Sequence, residues 1–182
     1  MVSISIPKNI LLEAVSHSKE RIEFEYDRFG LNNEERKDKI LVGAIGQLIF
    51  ELLLKSKNII YKHEYQAGNF DQFDFKVNDC IIDIKTSSYY NSYSYLNLLY
   101  EESQYQSGLK KGYDYCVQIF INGKNKDTGL VDLERCNLAS ISGYIDYKKI
   151  INFSNQRQYY GDDYKVPLPE LTSINNLFDH LR

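Results

Sequence analysis

An α/β fold, one domain with helices flanking a central sheet, follows from three observations on the sequence. Residues 7–56 space their apolar side chains as helices do. Phe73–Val77 and Ile81–Thr86 alternate apolar with polar as strands do, and Tyr115–Ile121 is an apolar run of high β-propensity. Helices and strands interleaved in this way pack as a sheet covered by helices. The 182 residues suit a single domain spanning 1–182, and 43% hydrophobic against 26% charged residues leaves enough apolar surface to fold.

Taken in order, Pro7 stands where an N1 proline would, and Ile10, Leu11, Ala14 and His17 or Ser18 recur at helical spacing. Gly30-Leu31-Asn32-Asn33 interrupts the pattern and offers Asn33 as the N-cap of a second helix. There Ile40, Leu41, Ala44, Ile45, Leu48, Ile49, Leu52 and Leu53 form a wide apolar face that must be buried. Ile59–Tyr65 reads as a strand, with a turn at Ala67-Gly68-Asn69. Phe73–Val77 and Ile81–Thr86 both alternate, and Asn78-Asp79-Cys80 between them has the length of a hairpin connection. Tyr93–Leu109 is expected as a helix and Tyr115–Ile121 as a central strand. Asn122-Gly123 starts a loop; strands at Gly129–Leu133 and Ala139–Ile145 and a closing helix within Leu171–Leu181 complete the expectation.

Several function classes fall away at this level. The longest apolar stretches, Ile40–Ile45 and Leu48–Leu54, fall far short of the roughly 20 residues that cross a bilayer. The opening MVSISIPKNI lacks the pattern of a secretory leader, and the expected address is cytoplasmic, without a membrane partner. Cys80, Cys116 and Cys136 are widely spaced and form no CxxC pair, which suits buried small hydrophobes. A net charge of −3 excludes a uniformly basic coat for nucleic acid, though not an enzyme with a local basic groove. The sequence contains no phosphate-binding GxxxxGK[ST] loop, no GxSxG elbow and no HExxH pair.

Chemistry concentrates in Phe70–Thr86. Asp83 and Lys85 lie two apart on an expected strand and share a face, while Ile82 and Ile84 take the opposite face toward the core. Asp74 precedes Asp83 by nine residues, and a tight turn near Asn78-Asp79 brings the two carboxylates together beside the lysine. Two carboxylates and the Ile84 backbone carbonyl are hard ligands suited to Mg²⁺ at about 2.0–2.1 Å. A neighbouring ammonium would orient water and offset charge on a phosphate. An isolated Asp-x-Lys is more often a solvated surface pair, so the second aspartate is what distinguishes this one.

The pattern Asp74…Asp83-Ile84-Lys85 resembles the PD-(D/E)xK nuclease superfamily, which includes many restriction endonucleases and Holliday-junction resolvases. Phe73 stands where that family often has proline. GAIGQLIFE, Gly43–Glu51, is similar to the helix before the family's first core strand, and the order of elements matches across about 38–122. The helical segment 7–30 and the C-terminal strands and helix would be elaborations.

The resemblance implies a restriction-endonuclease-like core with a central mixed sheet. It also implies a Mg²⁺-dependent DNA endonuclease, with Mn²⁺ as substitute. Asp74 and Asp83 would bind the metal, with Asp71 a competitor for the first role, and Lys85 would position water. Gln47 stands where many relatives have Glu; Glu51, one turn later on the same face, is the alternative carboxylate. Thr86, Ser87, Ser88, Gln104, Lys110 and Lys111 are candidates to face the phosphate backbone, the first three alternatively capping the next helix. His63 is read as an ordinary strand histidine and Tyr89–Tyr95 as packing or interface. A site-specific restriction enzyme acting on double-stranded DNA as a homodimer heads the expectations. A homing endonuclease, a junction resolvase or a non-catalytic DNA-binding relative are the alternatives.

Overall fold

The computed structural model describes residues 1–22, 31–63, 73–94, 96–153, 155–158 and 161–182, with the backbone alone for 155–158 and 161–163. In chain order the elements are β1 (Val2–Ser5), α1 (Lys8–Arg21), α2 (Asn33–Ser56), β2 (Lys62–His63), β3 (Phe75–Val77) and β4 (Cys80–Ser88). There follow β5 (Asn97–Glu101), α3 (Glu102–Lys111), β6 (Tyr115–Ile121) and β7 (Leu138–Asp146). A 3₁₀ segment at Tyr147–Asn152 leads to β8 (Asn155–Gln158) and β9 (Gly161–Pro167), and another at Leu168–Glu170 to α4 (Ile174–His180).

Six strands form a mixed sheet in the order β1-β7-β6-β4-β3-β2, in which β4 and β6 run parallel and every other neighbouring pair is antiparallel. A second sheet has the order β5-β9-β8. The main sheet is covered on both faces. Ile82, Ile84, Val117 and Ile119 bury one face with Ala44, Ile45, Leu48 and Ile49 of α2 and with Leu177 and Phe178 of α4. Cys116 and Ile145 bury the other with Leu98, Tyr100, Tyr105, Tyr147, Tyr164 and Val166. Tyrosines thus supply much of the second core.

Helix α2 begins with a capping box. The Asn32 side-chain oxygen accepts from the amides of Glu34 (3.0 Å) and Glu35 (2.9 Å), and the Glu35 carboxylate accepts from the Asn32 amide at 3.2 Å. The N-cap is therefore Asn32, one residue before Asn33. Further on, α2 lies so close to β4 that a Cβ on Gly46 would run into the Thr86 side chain. This contact fixes the height of Gln47 above the sheet.

Three expectations are corrected. Tyr93–Leu109 is not one helix: Asn97–Glu101 is strand β5, and α3 starts at Glu102. Leu98 and Tyr100 are buried while Leu99 is 45% exposed, a period of two that pairing with β9 exploits. Gly129–Leu133 contributes only an isolated bridge between Val131 and Lys124. There the Asn125 side chain accepts from the amides of Asp127 and Thr128, offering the backbone a turn in place of a ladder. Strand β2 is limited to Lys62–His63 within the expected Ile59–Tyr65, whose last two residues lie outside those described, as do Ala67-Gly68-Asn69, Asp71 and Tyr95. Among the described residues no helix is long and apolar enough to cross a membrane.

Candidate active site

The hairpin β3–β4 pairs Phe75 with Ile82, so Asp74, the residue just before β3, stands opposite Asp83. The turn between the strands uses Asn78 at φ 52°, a backbone conformation that asparagine tolerates better than most residues. One Asp74 oxygen accepts from the Ile84 amide at 2.6 Å and the other from Gln47 Nε2 at 2.7 Å. Gln47 Oε1 in turn accepts from Arg21 Nη1 at 3.4 Å. In an extended strand a residue's N–H and C=O leave on the same edge, so the Ile84 carbonyl opens toward Asp74.

Asp83 is 5% exposed and so is not half of a solvated surface pair. Lys85 Nζ lies 3.1 Å from Asp83 Oδ2 and 3.3 Å from Oδ1. The Tyr100 hydroxyl donates to Oδ2 at 2.8 Å, and the Cys116 thiol faces the same oxygen at 3.7 Å. The Lys85 ammonium also sits 4.4 Å from the centre of the Tyr100 ring. Behind it, the Tyr147 hydroxyl donates to that of Tyr100 at 3.0 Å. One tyrosine therefore holds both members of the Asp83–Lys85 pair.

Burial, and then the charge of Asp83, push Asp74 up to about 6, although the Ile84 amide, Lys85 and Arg21 pull the other way. Burial alone would lower Lys85, but the charges of Asp83 and Asp74 and the hydrogen bond to Asp83 outweigh it and hold the ammonium above its ordinary range. Burial and then Asp83 drive the Tyr100 hydroxyl and the Cys116 thiol upward, so both stay protonated as donors. The result is a pair of crowded carboxylates with one firmly protonated lysine.

Among the described residues no group of three or more His, Cys, Asp or Glu side chains converges as a metal cage. The donors are two carboxylates and a backbone carbonyl, a poor set for Zn²⁺ but a fitting one for Mg²⁺. That ion takes one or two carboxylates and completes its octahedron with water and substrate oxygens. Each Asp74 oxygen accepts a single hydrogen bond from the described protein groups and keeps a further lone pair for a cation. Like-charge crowding at Asp74 is also what a divalent ion relieves.

The other candidates are placed as follows. Glu51 accepts from the Tyr61 hydroxyl at 2.5 Å and pairs with Lys55 at 2.9 Å, so the side chain of α2 that reaches Asp74 is Gln47. Thr86 faces Gly46 of α2, with its hydroxyl buried and unbonded among the described residues, and not the face of Lys85. Ser87 follows Lys85 on the same face of β4 and is half-buried. The Gln104 carbonyl accepts from Tyr147 at 3.3 Å. Lys110 and Lys111 are exposed in the last turn of α3, where cations suit the carbonyl end of a helix. His63 stacks on Phe75 at 4.3 Å.

Sequence reasoning missed Tyr100, Cys116 and Arg21. The alternation Leu98-Leu99-Tyr100 could have signalled a strand, but nothing local ties that strand to Asp83. No protein-family model, curated protein or solved structure matches the chain.

Proposed function

We propose that the chain is a Mg²⁺-dependent deoxyribonuclease of the PD-(D/E)xK type, hydrolysing phosphodiester bonds of double-stranded DNA as a site-specific restriction-type enzyme. The observation that carries this reading is the juxtaposition of half-buried Asp74, at the start of β3, with buried Asp83 on the adjoining β4, and Lys85 on both oxygens of Asp83. The succession α2, β2, β3, β4, α3, β6 supports it, being the order the resemblance implies, with β5 inserted before α3. The three cysteines are free, in keeping with a cytoplasmic address.

Asp74, Asp83 and the Ile84 carbonyl would hold the cation, which supplies acidified water and charge neutralisation at the phosphate. The chain's own residues prepare the rest. Gln47 fixes Asp74 through its amide, and Tyr100 fixes Asp83 through its hydroxyl. Lys85, kept protonated and seated against Tyr100, donates toward the attacking oxygen and offsets the negative charge that grows on the phosphate. Cutting both strands takes either two such sites, which a symmetric homodimer provides, or sequential nicking by one.

The test is cleavage of supercoiled plasmid and a branched junction with Mg²⁺, Mn²⁺ or EDTA. Discrete plasmid fragments are expected with either metal, none with EDTA, and none from Asp83→Asn or Lys85→Ala. Full activity in both variants would refute the assignment. Junction cutting alone would replace a restriction enzyme with a resolvase. One observation favours a second reading, a non-cutting DNA-binding relative: an amide rather than a carboxylate reaches Asp74 from α2. Calorimetric titration with Mg²⁺ separates the two, since that relative should bind the ion weakly.

A further inference from the structure

Strands β4 and β6 are parallel and end together, with Ser88 paired to Ile121. Beyond that point the two chains stay in contact: the Tyr89 amide donates to the Ile121 carbonyl at 2.9 Å and the Lys124 amide to the Tyr89 carbonyl at 3.2 Å. A cavity of about 260 Å³ opens there, lined by Ser88, Tyr89, Tyr90, Lys124, Asn125 and Lys126 among others. The crevice beyond the carboxyl ends of parallel strands is where α/β sheets characteristically take their ligands. Nothing in the chemistry described so far uses this one.

We infer that this cleft is a binding subsite for a backbone phosphate of the DNA strand, displaced along β4 from the scissile bond. The lining residues offer ammonium, hydroxyl and amide groups, and no Asp or Glu is among them. Neither lysine forms an ion pair with a described residue; Asp38, which feels the charge of Lys124, is already engaged by the Val131 amide at 2.7 Å. Tyr90 is 41% exposed and presents a ring at the rim. The volume lies below the roughly 300–1,000 Å³ of sites that enclose a whole small molecule, so one segment of a longer ligand fits better than a free cofactor.

Spacing supports the same assignment. Ser88 follows Lys85 by three residues at the end of a continuous strand, its side chain on the opposite face. The crevice opens past that end, about 10 Å away at roughly 3.3 Å per residue. The roughly 3.4 Å rise of a duplex is measured along its axis and successive phosphates of one strand lie farther apart than that, so this span is about one to two phosphate spacings along the backbone. A strand whose scissile phosphate lies at Lys85 thus brings another phosphate near Lys124 and Lys126. The inference takes the identity of the polymer from the nuclease reading and adds where the polymer lies.

The experiment measures anisotropy of a labelled 20-base-pair DNA duplex in EDTA across a salt series. It compares the wild-type chain, Lys124→Gln/Lys126→Gln, and a control, Lys148→Gln/Lys149→Gln, at exposed positions of the 3₁₀ segment. The pocket variant should lose at least about tenfold in affinity at moderate salt, and its log K against log salt should flatten by about one unit, close to the 0.9 expected for one lost phosphate contact. The control should match the wild type. An unchanged slope in the pocket variant, an equal loss in the control, or no duplex binding by the wild type would overturn the subsite. Tighter binding of an RNA duplex through the same lysines would overturn its assignment to DNA. Plasmid cleavage run beside it keeps the two proposals apart. Cutting with an unchanged slope removes the subsite and spares the nuclease, whereas a flattened slope without cutting does the reverse.

Discussion

Tyr100 is the residue on which the site's order most depends. Its hydroxyl and its ring act on different partners, Asp83 and Lys85, so the two contributions can be separated by substitution. Tyr100→Phe keeps the ring beneath the ammonium and removes one buried donor, for a stability loss of about 1 kcal/mol. Cleavage should fall on the order of tenfold, as a freed carboxylate loses its alignment. Tyr100→Leu removes both contacts and should fall further. Urea unfolding and single-turnover cleavage would check the order wild type, Phe, Leu; equal rates in all three would show that Asp83 and Lys85 need no support from the second sheet. At this scale the sequence was informative about Asp74, Asp83 and Lys85, because i, i+2 spacing and a short hairpin determine their convergence locally. It was silent about Tyr100, Cys116 and Arg21, whose places depend on long-range packing.

At the level of elements, the contact between α2 and β4 carries Gln47 to Asp74. Gly46→Ala would place a methyl group against Thr86 in a contact with no spare room. The cost should be about 1–3 kcal/mol, with the helix pushed from the sheet and cleavage weakened through Gln47. Thr86→Ala in the same chain should recover much of the loss in urea midpoint. A harmless Gly46→Ala would mean that the helix has slack there. Element reading from sequence succeeded where periodicity was long, as in α2, and where turn chemistry was strong, as at Asn78-Asp79. It failed over Tyr93–Leu109, since a five-residue strand running directly into a helix yields too few repeats to separate the two periods. Strands β8 and β9 had no legible pattern, and their pairing with β5 is a matter of tertiary contact.

For the whole molecule, two half-buried groups pull stability in opposite directions over one pH window. Asp74 binds its proton more tightly folded, at about 6, than unfolded, near 4, so its contribution is present in acid and lost as pH climbs through about 6. His63 is pushed down to about 4, by burial first and with the charge of Arg21 reinforcing it against the pull of Glu51. Its unfolded value is about 6.5, so its contribution is full above that pH and erodes as pH falls toward about 4. Thermal melts in EDTA from pH 4 to 7 would resolve them. Asp74→Asn should lose stability on acidification more steeply than wild type, and His63→Gln less steeply. Added Mg²⁺ should stabilise most above pH 6, where Asp74 is ionised. The reverse order of the two variants would contradict both assignments.

The joint between the two sheets has one more consequence. Tyr100 belongs to the small sheet and Asp83 to the large one, β5 pairs with β9, and Phe178 stacks against Phe50 of α2. The motif-bearing stretch 38–122 is therefore not a transplantable cassette. A fragment ending there would lose the strand beside β6, the partner that seats Tyr100 and the helix that closes the core. Anyone trimming or grafting this protein has to carry the last third of the chain along with the aspartates.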